Sequence, residues 1–345
     1  RGQGDGGVIL TSASTAGVRP RPGLVWYNTS KSAAIGATRS LAIELGAEKI
    51  RVVAINPVAG DTPLLAKFMG EDTPEKRAAA ARLVKTGRAV SLSREFPKTP
   101  AANNPTPAIH FMKRGVREGG GGSATDYYGI SYHGQATTHL DALCHVWDHN
   151  GMWNGRNADD VITFDGATWG SVEHWKEGII TRGVLLDVPK FRGQSFVKLD
   201  EPIHGWDLED VAKAQGVTME PGDALIVYGG RDAWNEVNPQ WGSPPEPGQP
   251  RQRAGLHASC LKFIRESDCS LLVWDMMDFE PNGYDIPWSV HGSIFAYGIG
   301  LLDNALLQPL AEACAEEGRY EFMLTVNPLR VVGGTGSPVN PIALF

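Results

Sequence analysis

The chain has 345 residues, of which 42% are hydrophobic and 21% charged, a balance that excludes a collagen-like, coiled-coil or largely disordered protein. The formal net charge of −7 provides no basic surface, so nucleic acid and anionic membranes are not expected as main partners. Because the length exceeds that of one typical domain, we expect two domains.

The N-terminal segment predicts a strand, a helix and a second strand. Residues 8–11 are a short apolar run, residues 27–46 place small and apolar side chains at helical spacing, and residues 50–55 form a second apolar run that ends before Asn56-Pro57. Such a unit belongs to a parallel α/β sheet with a right-handed crossover.

Ser14, Tyr27 and Lys31 are the candidate functional residues of this segment. Tyr27 and Lys31 are four residues apart, which places them one above the other on a helix face, where the cation favours the phenolate. With Ser14, residues 7–65 resemble the C-terminal half of a short-chain dehydrogenase/reductase. The family's first strand and Gly-rich dinucleotide turn do not precede this segment, so we expect a truncated, partial Rossmann-like fragment. An NAD(P)-dependent oxidoreductase using these three residues is kept as an alternative.

The composition changes near residue 70, and we predict two domains, 1–70 and 71–345. Residues 94–125 are rich in Pro, Asn and Gly and are predicted to be an irregular loop. Compact apolar runs and helical spacing predict the remaining elements. The predicted strands are 183–188, 224–228 and 271–274, and the predicted helices are 75–85, 256–266, 291–303 and 308–317.

Residues 132–145 carry a dense cluster of metal-binding side chains. His139 and Asp141 are two apart, so on an extended segment both face one side, and His133 and His145 are near enough to join them across a turn. Three imidazoles and a carboxylate supply the nitrogen and oxygen ligands that a divalent ion such as zinc or manganese prefers. His149 lies beyond the dense part and is expected to be solvated.

This cluster resembles the cyclase family, metal-dependent hydrolases that include bacterial kynurenine formamidase and isatin hydrolase and carry the motif HxGTHxDxPxH. Alignment on Asp141 places two family histidines on His139 and His145, whereas the first family histidine falls on Gln135. Either Gln135 binds the metal through its side-chain carbonyl oxygen, or His133 replaces it, or the metal is bound weakly at this first position. The resemblance covers residues 73–345 and implies an α/β fold, a cyclase-type swivelling hydrolase domain with a mixed sheet.

The resemblance also implies that His291 and an acid twelve residues later, here Asp303, complete the metal site. On one unbroken helix these residues would lie ~18 Å apart, too far to share an ion. We therefore expect the helix to bend or end before Asp303, and Gly298 and Gly300 make such a break easy.

The function expected from this resemblance is hydrolysis of an amide, formamide or lactone-type acyl bond by metal-activated water. It assigns proton transfer to His145, and His257 is a candidate for the substrate pocket. Trp147, Trp153, Trp234 and Trp241 are candidates for an aromatic clamp. We expect a small-molecule substrate, such as an aromatic or cyclic amide or lactone, and a homo-oligomer. A non-catalytic metal-binding relative is a further alternative.

The four cysteines point to a reducing compartment. Cys144, Cys260, Cys269 and Cys314 form no CxxC pair and are too sparse for a disulfide framework, so a cytoplasmic protein is expected. No apolar run approaches the ~20 residues that span a bilayer, and no signal-peptide pattern opens the chain.

Overall fold

A computed structural model describes residues 6–18, 25–55, 74–238, 240–242, 248, 250–284 and 286–345. The chain forms two compact units, Arg1–Phe68 and Met69–Phe345. The turn predicted at Asn56-Pro57 and the boundary predicted near residue 70 lie outside the described residues, so the division into 1–70 and 71–345 stays a prediction.

The first unit is the predicted strand, helix and strand. Strand β1 (Gly7–Ser12) and strand β2 (Ile50–Ile55) pair in parallel, and helix α1 (Val25–Leu45) connects them. A parallel pair needs such a crossover, because a tight turn can join only antiparallel strands. The partial Rossmann-like fragment expected from the sequence is confirmed.

The second unit is a mixed α/β domain. Its helices and strands, in chain order, are α2 (Pro74–Ala81), β3 (Ala89–Ser91), β4 (Ile109–Val116), β5 (Gly122–Gly129), β6 (His139–Asp141), α3 (Ala158–Val161), β7 (Ile162–Thr163), β8 (Gly166–Ala167), β9 (Ile179–Asp187), α4 (Val188–Arg192), α5 (Gly205–Gln215), β10 (Ala224–Tyr228), α6 (Arg231–Val237), α7 (Cys260–Ser267), β11 (Leu271–Trp274), α8 (Ser293–Tyr297), β12 (Gly300–Asp303), α9 (Gln308–Glu317), β13 (Glu321–Val326), β14 (Gly336–Pro338) and β15 (Ile342–Leu344).

A mixed sheet organises this unit. In the described part of the chain nine strands pair in the order β14-β6-β12-β11-β10-β9-β13-β15-β3. Strands β9 to β12 are parallel, and antiparallel strands flank them on both sides. Alternate residues of the central strands enter two separate cores: Ile226 and Val273 belong to one, and Leu225 and Leu272 to the other. The near-continuous apolar runs are therefore explained by burial on both faces.

Three predicted elements agree with the structure in their bounds. They are the strands at 224–228 and 271–274 and the helix at 308–317. The helix predicted at 256–266 begins later, at Cys260. Its first residues are extended because the amide of Leu256 donates to the Met277 carbonyl and the amide of His257 to the Ile203 carbonyl. Contacts with distant segments override the helical spacing at this end.

The prediction of an irregular loop over residues 94–125 holds for residues 94–108 but is wrong for residues 109–125. Strands β4 and β5 form a regular antiparallel hairpin from Ile109↔Gly129 to Val116↔Gly122. The glycine-rich run supplies its turn, since Gly119, Gly120 and Gly121 have φ values of 85°, 94° and 79°. Glycine and proline content therefore marked the ends of these strands rather than an absence of structure.

The expected cytoplasmic location was based on the cysteines and on the length of the apolar runs. All four cysteines are free and buried. Among the residues that the structure describes, no helix combines the length and apolarity required to cross a bilayer.

Candidate metal centre

The candidate site lies at the carboxyl edge of the parallel strands. Asp303 is the last residue of β12, and Asp278 follows β11. Strand β6 pairs antiparallel with β12 and places His139 opposite Asp303. Side chains that are directly opposite on paired strands share a face, so β6 delivers His139 and Asp141 to the strand end that holds Asp303. Ligand sites of open α/β sheets are found at this edge.

The helix predicted over 291–303 is interrupted, as the metal hypothesis required. A helical turn at Val290–Gly292 leads into α8, which ends at Gly298, and β12 follows. Gly298 has φ 72°, and a Cβ atom on it would lie 2.5 Å from Cε2 of Trp153. Because the chain reverses there, His291 Nε2 lies 3.6 Å from Asp303 Oδ2.

Asp141 is the centre of the donor cluster. Its side chain is fully buried, and its carboxylate oxygens accept no hydrogen bond of good geometry, although imidazole nitrogens lie close to Oδ1. His133 Nδ1 lies 2.9 Å and His139 Nε2 lies 3.3 Å from Asp141 Oδ1. Two sets of donor atoms each lie within 4.8 Å of one another: His133, His139 and Asp141, and Asp141, His291 and Asp303. A buried carboxylate without hydrogen bonds is costly unless a cation satisfies it, so these residues fit a divalent metal ion.

Neighbouring groups fix which atoms of the ligands face the cluster. The Nδ1 of His139 donates to the Thr137 carbonyl at 2.8 Å, which leaves Nε2 free to bind a metal. The Nδ1 of His291 hydrogen-bonds to the Asp278 carboxylate, with the same result. Trp274 Nε1 donates to Asp303 Oδ1 and leaves Oδ2 on the side of the cluster. Such outer partners are typical of protein metal sites.

The charges of the metal-free cluster indicate a place for a cation. Burial opposes the charged form of His139, yet Asp141 and Asp303 raise its pKa to about 9. Burial likewise opposes the charge on His291, but Asp278 and Asp303 raise its pKa well above the usual value. Burial also opposes the charge on Asp141, and the positive charge on the neighbouring His139 lowers the pKa of its carboxyl well below the usual range. The carboxylates therefore require positive charge beside them.

His145 lies at the border of the cluster. Its ring stacks on His133, with the centroids 3.8 Å apart, and its Nε2 lies 3.7 Å from Asp141 Oδ1. Burial lowers the pKa of His145 to about 4, and the neighbouring histidines add to this effect against the opposing field of Asp141. His145 is therefore a neutral imidazole near neutral pH, with 22% of its side chain exposed. Such a group can accept a proton.

A cleft of about 370 Å³ opens onto the donor atoms. Gln135 lines this cleft, and its backbone carbonyl accepts a hydrogen bond from Arg231. Of the two residues that the sequence offered for the first ligand position, His133 is the one in the cluster.

His257 occupies a different place. Its Nδ1 lies 3.0 Å from the Ser259 hydroxyl, and its ring lies 4.6 Å from that of His204. Among the described residues it is not part of the cleft lining. The pocket role of His257 therefore stays a prediction without a contact to support it.

The aromatic wall of the cleft comes from a tryptophan that the sequence did not single out. Trp153, Trp234 and Trp241 are buried, whereas Trp288 lines the cleft with its ring centroid 5.5 Å from that of His291. Asp278 and Trp274 were also missed. Both follow from the strand predicted at 271–274, since Trp274 ends it and Asp278 lies four residues beyond. Ligand sites of open α/β sheets lie at the carboxyl ends of the strands, and this rule could have identified both residues from the sequence.

The structure brings together two of the three candidate residues of the first unit. Lys31 Nζ lies 5.5 Å from the ring centroid of Tyr27 and donates to the Ser12 carbonyl at 3.3 Å. The hydroxyl of Ser14 is buried and accepts a hydrogen bond from the Ala16 amide.

Two family models match the chain, and their segments overlap over residues 67–93. Residues 67–281 match the family model described as "Putative cyclase", and residues 2–93 match one described as "Enoyl-(Acyl carrier protein) reductase". The chain is 48% identical over 83 residues to 4-formylbenzenesulfonate dehydrogenase of Comamonas testosteroni, a match to 24% of this chain and 33% of that protein. It is 45% identical over 62 residues to an NAD-dependent oxidoreductase of Mycobacterium tuberculosis, or 18% and 22% of the two chains. The chain thus spans a third or less of these curated relatives.

Solved structures resemble the second unit. A crystal structure described as a novel cyclase matches with a TM-score of 0.67 and 27% identity, covering 79% of this chain and 93% of that one. An isatin hydrolase bound to thioisatinate matches at 0.51 and 17% identity, covering 77% and 94%. Isatin hydrolase A from Ralstonia solanacearum matches at 0.50 and 16% identity, covering 83% and 99%. These likenesses identify the fold of the mixed sheet.

Proposed function

The chain belongs to the cyclase family, and from this premise we propose that it is a metal-dependent hydrolase that cleaves an amide, formamide or lactone-type acyl bond of a small molecule. The observation that carries the proposal is the fully buried Asp141 carboxylate, which lies among imidazoles and a second carboxylate from separate segments. Without a metal ion these buried carboxylates depend on protonated imidazoles for positive charge, and a bound divalent ion would supply that charge instead.

His133, His139, Asp141, His291 and Asp303 are the residues that would hold the metal, with zinc and manganese as the candidate ions. A bound divalent ion supplies acidity to a coordinated water and polarises a carbonyl oxygen. This chemistry needs no serine or cysteine nucleophile.

His145 is the proposed proton carrier. Its neutral Nε2 takes the proton of the attacking water as the water oxygen bonds to the acyl carbon. It then returns this proton to the leaving nitrogen or oxygen as the acyl bond breaks. The stacked ring of His133 holds the His145 imidazole in place at the mouth of the cleft.

Trp288 and Arg253 lie on the wall of the cleft. Trp288 presents a planar apolar surface beside His291, which suits an aromatic or cyclic substrate. This supports lactams, lactones and N-formyl aromatics as the first compounds to assay.

The test is His145→Ala, with turnover measured on a panel of N-formyl aromatic amines, isatin-like lactams and lactones. We expect the purified protein to contain about one or two divalent ions and to turn over at least one compound. In His145→Ala the metal content should stay while kcat falls roughly 100- to 10,000-fold, because a general acid/base contributes that factor.

His149→Ala is the matched control, since the His149 side chain is 85% exposed and is only four residues away. It should retain both metal and activity. A metal-loaded protein that turns over none of the panel, or a His145→Ala variant as active as the wild type, would contradict the proposal.

A second candidate function rests on the first unit, where the contact of Lys31 with Tyr27 favours the NAD(P)-dependent oxidoreductase alternative. Its discriminating measurement is NAD(P)H binding by fluorescence. Affinity that disappears in Tyr27→Phe and Lys31→Ala, and is unchanged in His139→Ala, would assign a nucleotide site to this unit.

A further inference from the structure

The segment that carries the first ligand position, residues 133–136, is called the ligand loop below. It belongs to no helix or strand, and within the described part of the chain its peptide groups make no hydrogen bond to other peptide groups. Gly134 has φ 139°, and a Cβ atom on it would meet no atom within 4 Å. Neither strand pairing nor close packing at Gly134 therefore restricts the backbone of this loop. His133 Nδ1 nevertheless lies 2.9 Å from Asp141 Oδ1, so other contacts must hold the loop in place.

Arg231 is a buried cation that reaches the ligand loop. It is 2% exposed and begins helix α6, and its guanidinium donates to the backbone carbonyl of Gln135 and to Oδ1 of Asn304. Its Cζ lies 5.0 Å from the ring centroid of Trp241, and its Nη1 also donates to the Asp275 carbonyl at 3.3 Å. Because removing a charge from water is costly, a guanidinium enclosed in this way indicates a fixed role in the structure.

Asn304 continues the same chain of hydrogen bonds. Its Oδ1 accepts from Arg231, and its Nδ2 donates to the backbone carbonyl of Gly134. Asn304 directly follows the proposed ligand Asp303, and its own backbone carbonyl accepts from the Thr138 hydroxyl at 2.8 Å. Arg231 and Asn304, called the clamp below, thus hold two successive carbonyls of the ligand loop and connect them to the strand end that carries Asp303.

We propose that Arg231 and Asn304 are positioning residues that hold His133 in the first ligand position through the backbone of the ligand loop. The inference rests on the proposed metal centre. The Thr335 hydroxyl lies 3.0 Å from Nε2 of His133 and orients the ring, whereas the clamp orients the backbone. A loop that is ordered before the metal arrives loses less conformational freedom on binding, so the clamp raises the metal affinity.

The test is the zinc affinity of the full-length variants R231K and N304G, measured by competition with a fluorescent chelator. R231K keeps the charge but loses the planar fork that reaches two acceptors. N304G removes the amide, and glycine readily adopts the φ of 54° found at this position. Each variant should weaken zinc binding by at least about tenfold, because outer partners of metal ligands contribute 10- to 100-fold.

A double-mutant cycle with H133A separates positioning from a general loss of stability. If the clamp acts through His133, R231K and N304G should weaken zinc binding by less than about twofold in the H133A background. A merely structural role would give the same loss in both backgrounds. The visible spectrum of the cobalt-loaded protein is a second readout, in which R231K should differ from the wild type in the same way as H133A does.

R319K is the matched control for R231K, because Arg319 also lies over an aromatic ring, 5.2 Å from the Phe345 centroid, and donates to a backbone carbonyl, that of Leu83. N154G is the control for N304G, since Asn154 is exposed and has a φ of 61°. Both controls should keep the wild-type affinity. Calorimetry of the zinc-free variants verifies their fold, and if R231K does not fold, N304G decides.

Two kinds of failure are distinguishable. A wild type that binds zinc, together with clamp variants of equal affinity or with losses unchanged in the H133A background, would overturn this inference alone. A wild type that binds neither zinc nor manganese would overturn the proposed metal centre and this inference with it.

Discussion

The choice between His133 and Gln135 determines which atom takes the first ligand position of the candidate site. The family motif places the first ligand on Gln135, but this chain directs Nδ1 of His133 to within 2.9 Å of Asp141. The backbone carbonyl of Gln135, which is not the side-chain oxygen that would bind a metal, accepts a hydrogen bond from Arg231. Since a neutral imidazole is a stronger ligand than an amide oxygen for zinc, the shift by two positions preserves a nitrogen donor.

Comparing His133→Ala with Gln135→Ala tests this assignment. His133→Ala should lower the metal affinity by at least about tenfold, because even the loss of an outer partner of a ligand costs 10- to 100-fold. Gln135→Ala should leave the affinity within about twofold of the wild type. Competition with a fluorescent chelator measures both. Equal losses, or a loss in Gln135→Ala alone, would return the ligand position to Gln135.

The junction between α8 and β12 is the element on which the site depends. His291 precedes the helix and Asp303 ends the strand, so the reversal at Gly298 determines whether the two side chains meet. Two constraints select glycine there: a left-handed φ of 72°, and the close indole ring of Trp153. The sequence indicated the break, but only the packing of Trp153 explains why it must occur at this residue.

Gly298→Ala should destabilise the protein more than Gly318→Ala. Both glycines have φ near 70°, where a Cβ atom costs roughly 1–2 kcal/mol, but an added Cβ at Gly318 meets no atom within 4 Å. Gly318→Ala should therefore lower the Tm by a few degrees. Gly298→Ala should lower it further and also weaken metal binding, because Asp303 moves with the junction. Calorimetry and metal analysis measure both effects, and two variants with equal Tm and metal affinity would be inconsistent with this account.

At the scale of the whole molecule, the proposed metal ligands come from segments distant in sequence. His139 and Asp141 come from an antiparallel strand, His291 from the connection between β11 and β12, and Asp303 from the end of β12. An ion bound to all of them stabilises the folded second unit, because the unfolded chain does not hold these donors together.

Removal of the metal should therefore lower the unfolding midpoint of the second unit. At a metal concentration 1,000 times Kd the ion contributes about 4 kcal/mol to the free energy of unfolding, which corresponds to a decrease in Tm on the order of 10 °C. Calorimetry with and without a chelator measures this, and added zinc or manganese should restore the midpoint. His139→Ala is the control and should not respond to the chelator. A wild-type Tm that is independent of the chelator would count against a metal held by both segments.

The sequence by itself determined the local features of this protein. Apolar runs identified the central strands, and the two-residue spacing of His139 and Asp141 placed both on one face, since these properties depend only on near neighbours. The twelve-residue spacing of His291 and Asp303 also predicted a break in the helix between them.

Only the tertiary structure decided which distant groups meet. The pairing of His139 with Asp303, the hydrogen bond from Trp274 to Asp303 and the contact of Asp278 with His291 depend on strand order and register. Strand order arises from the burial of whole elements against one another, which no local spacing encodes. For the same reason composition missed the hairpin of β4 and β5, whose strands are defined by their pairing with each other.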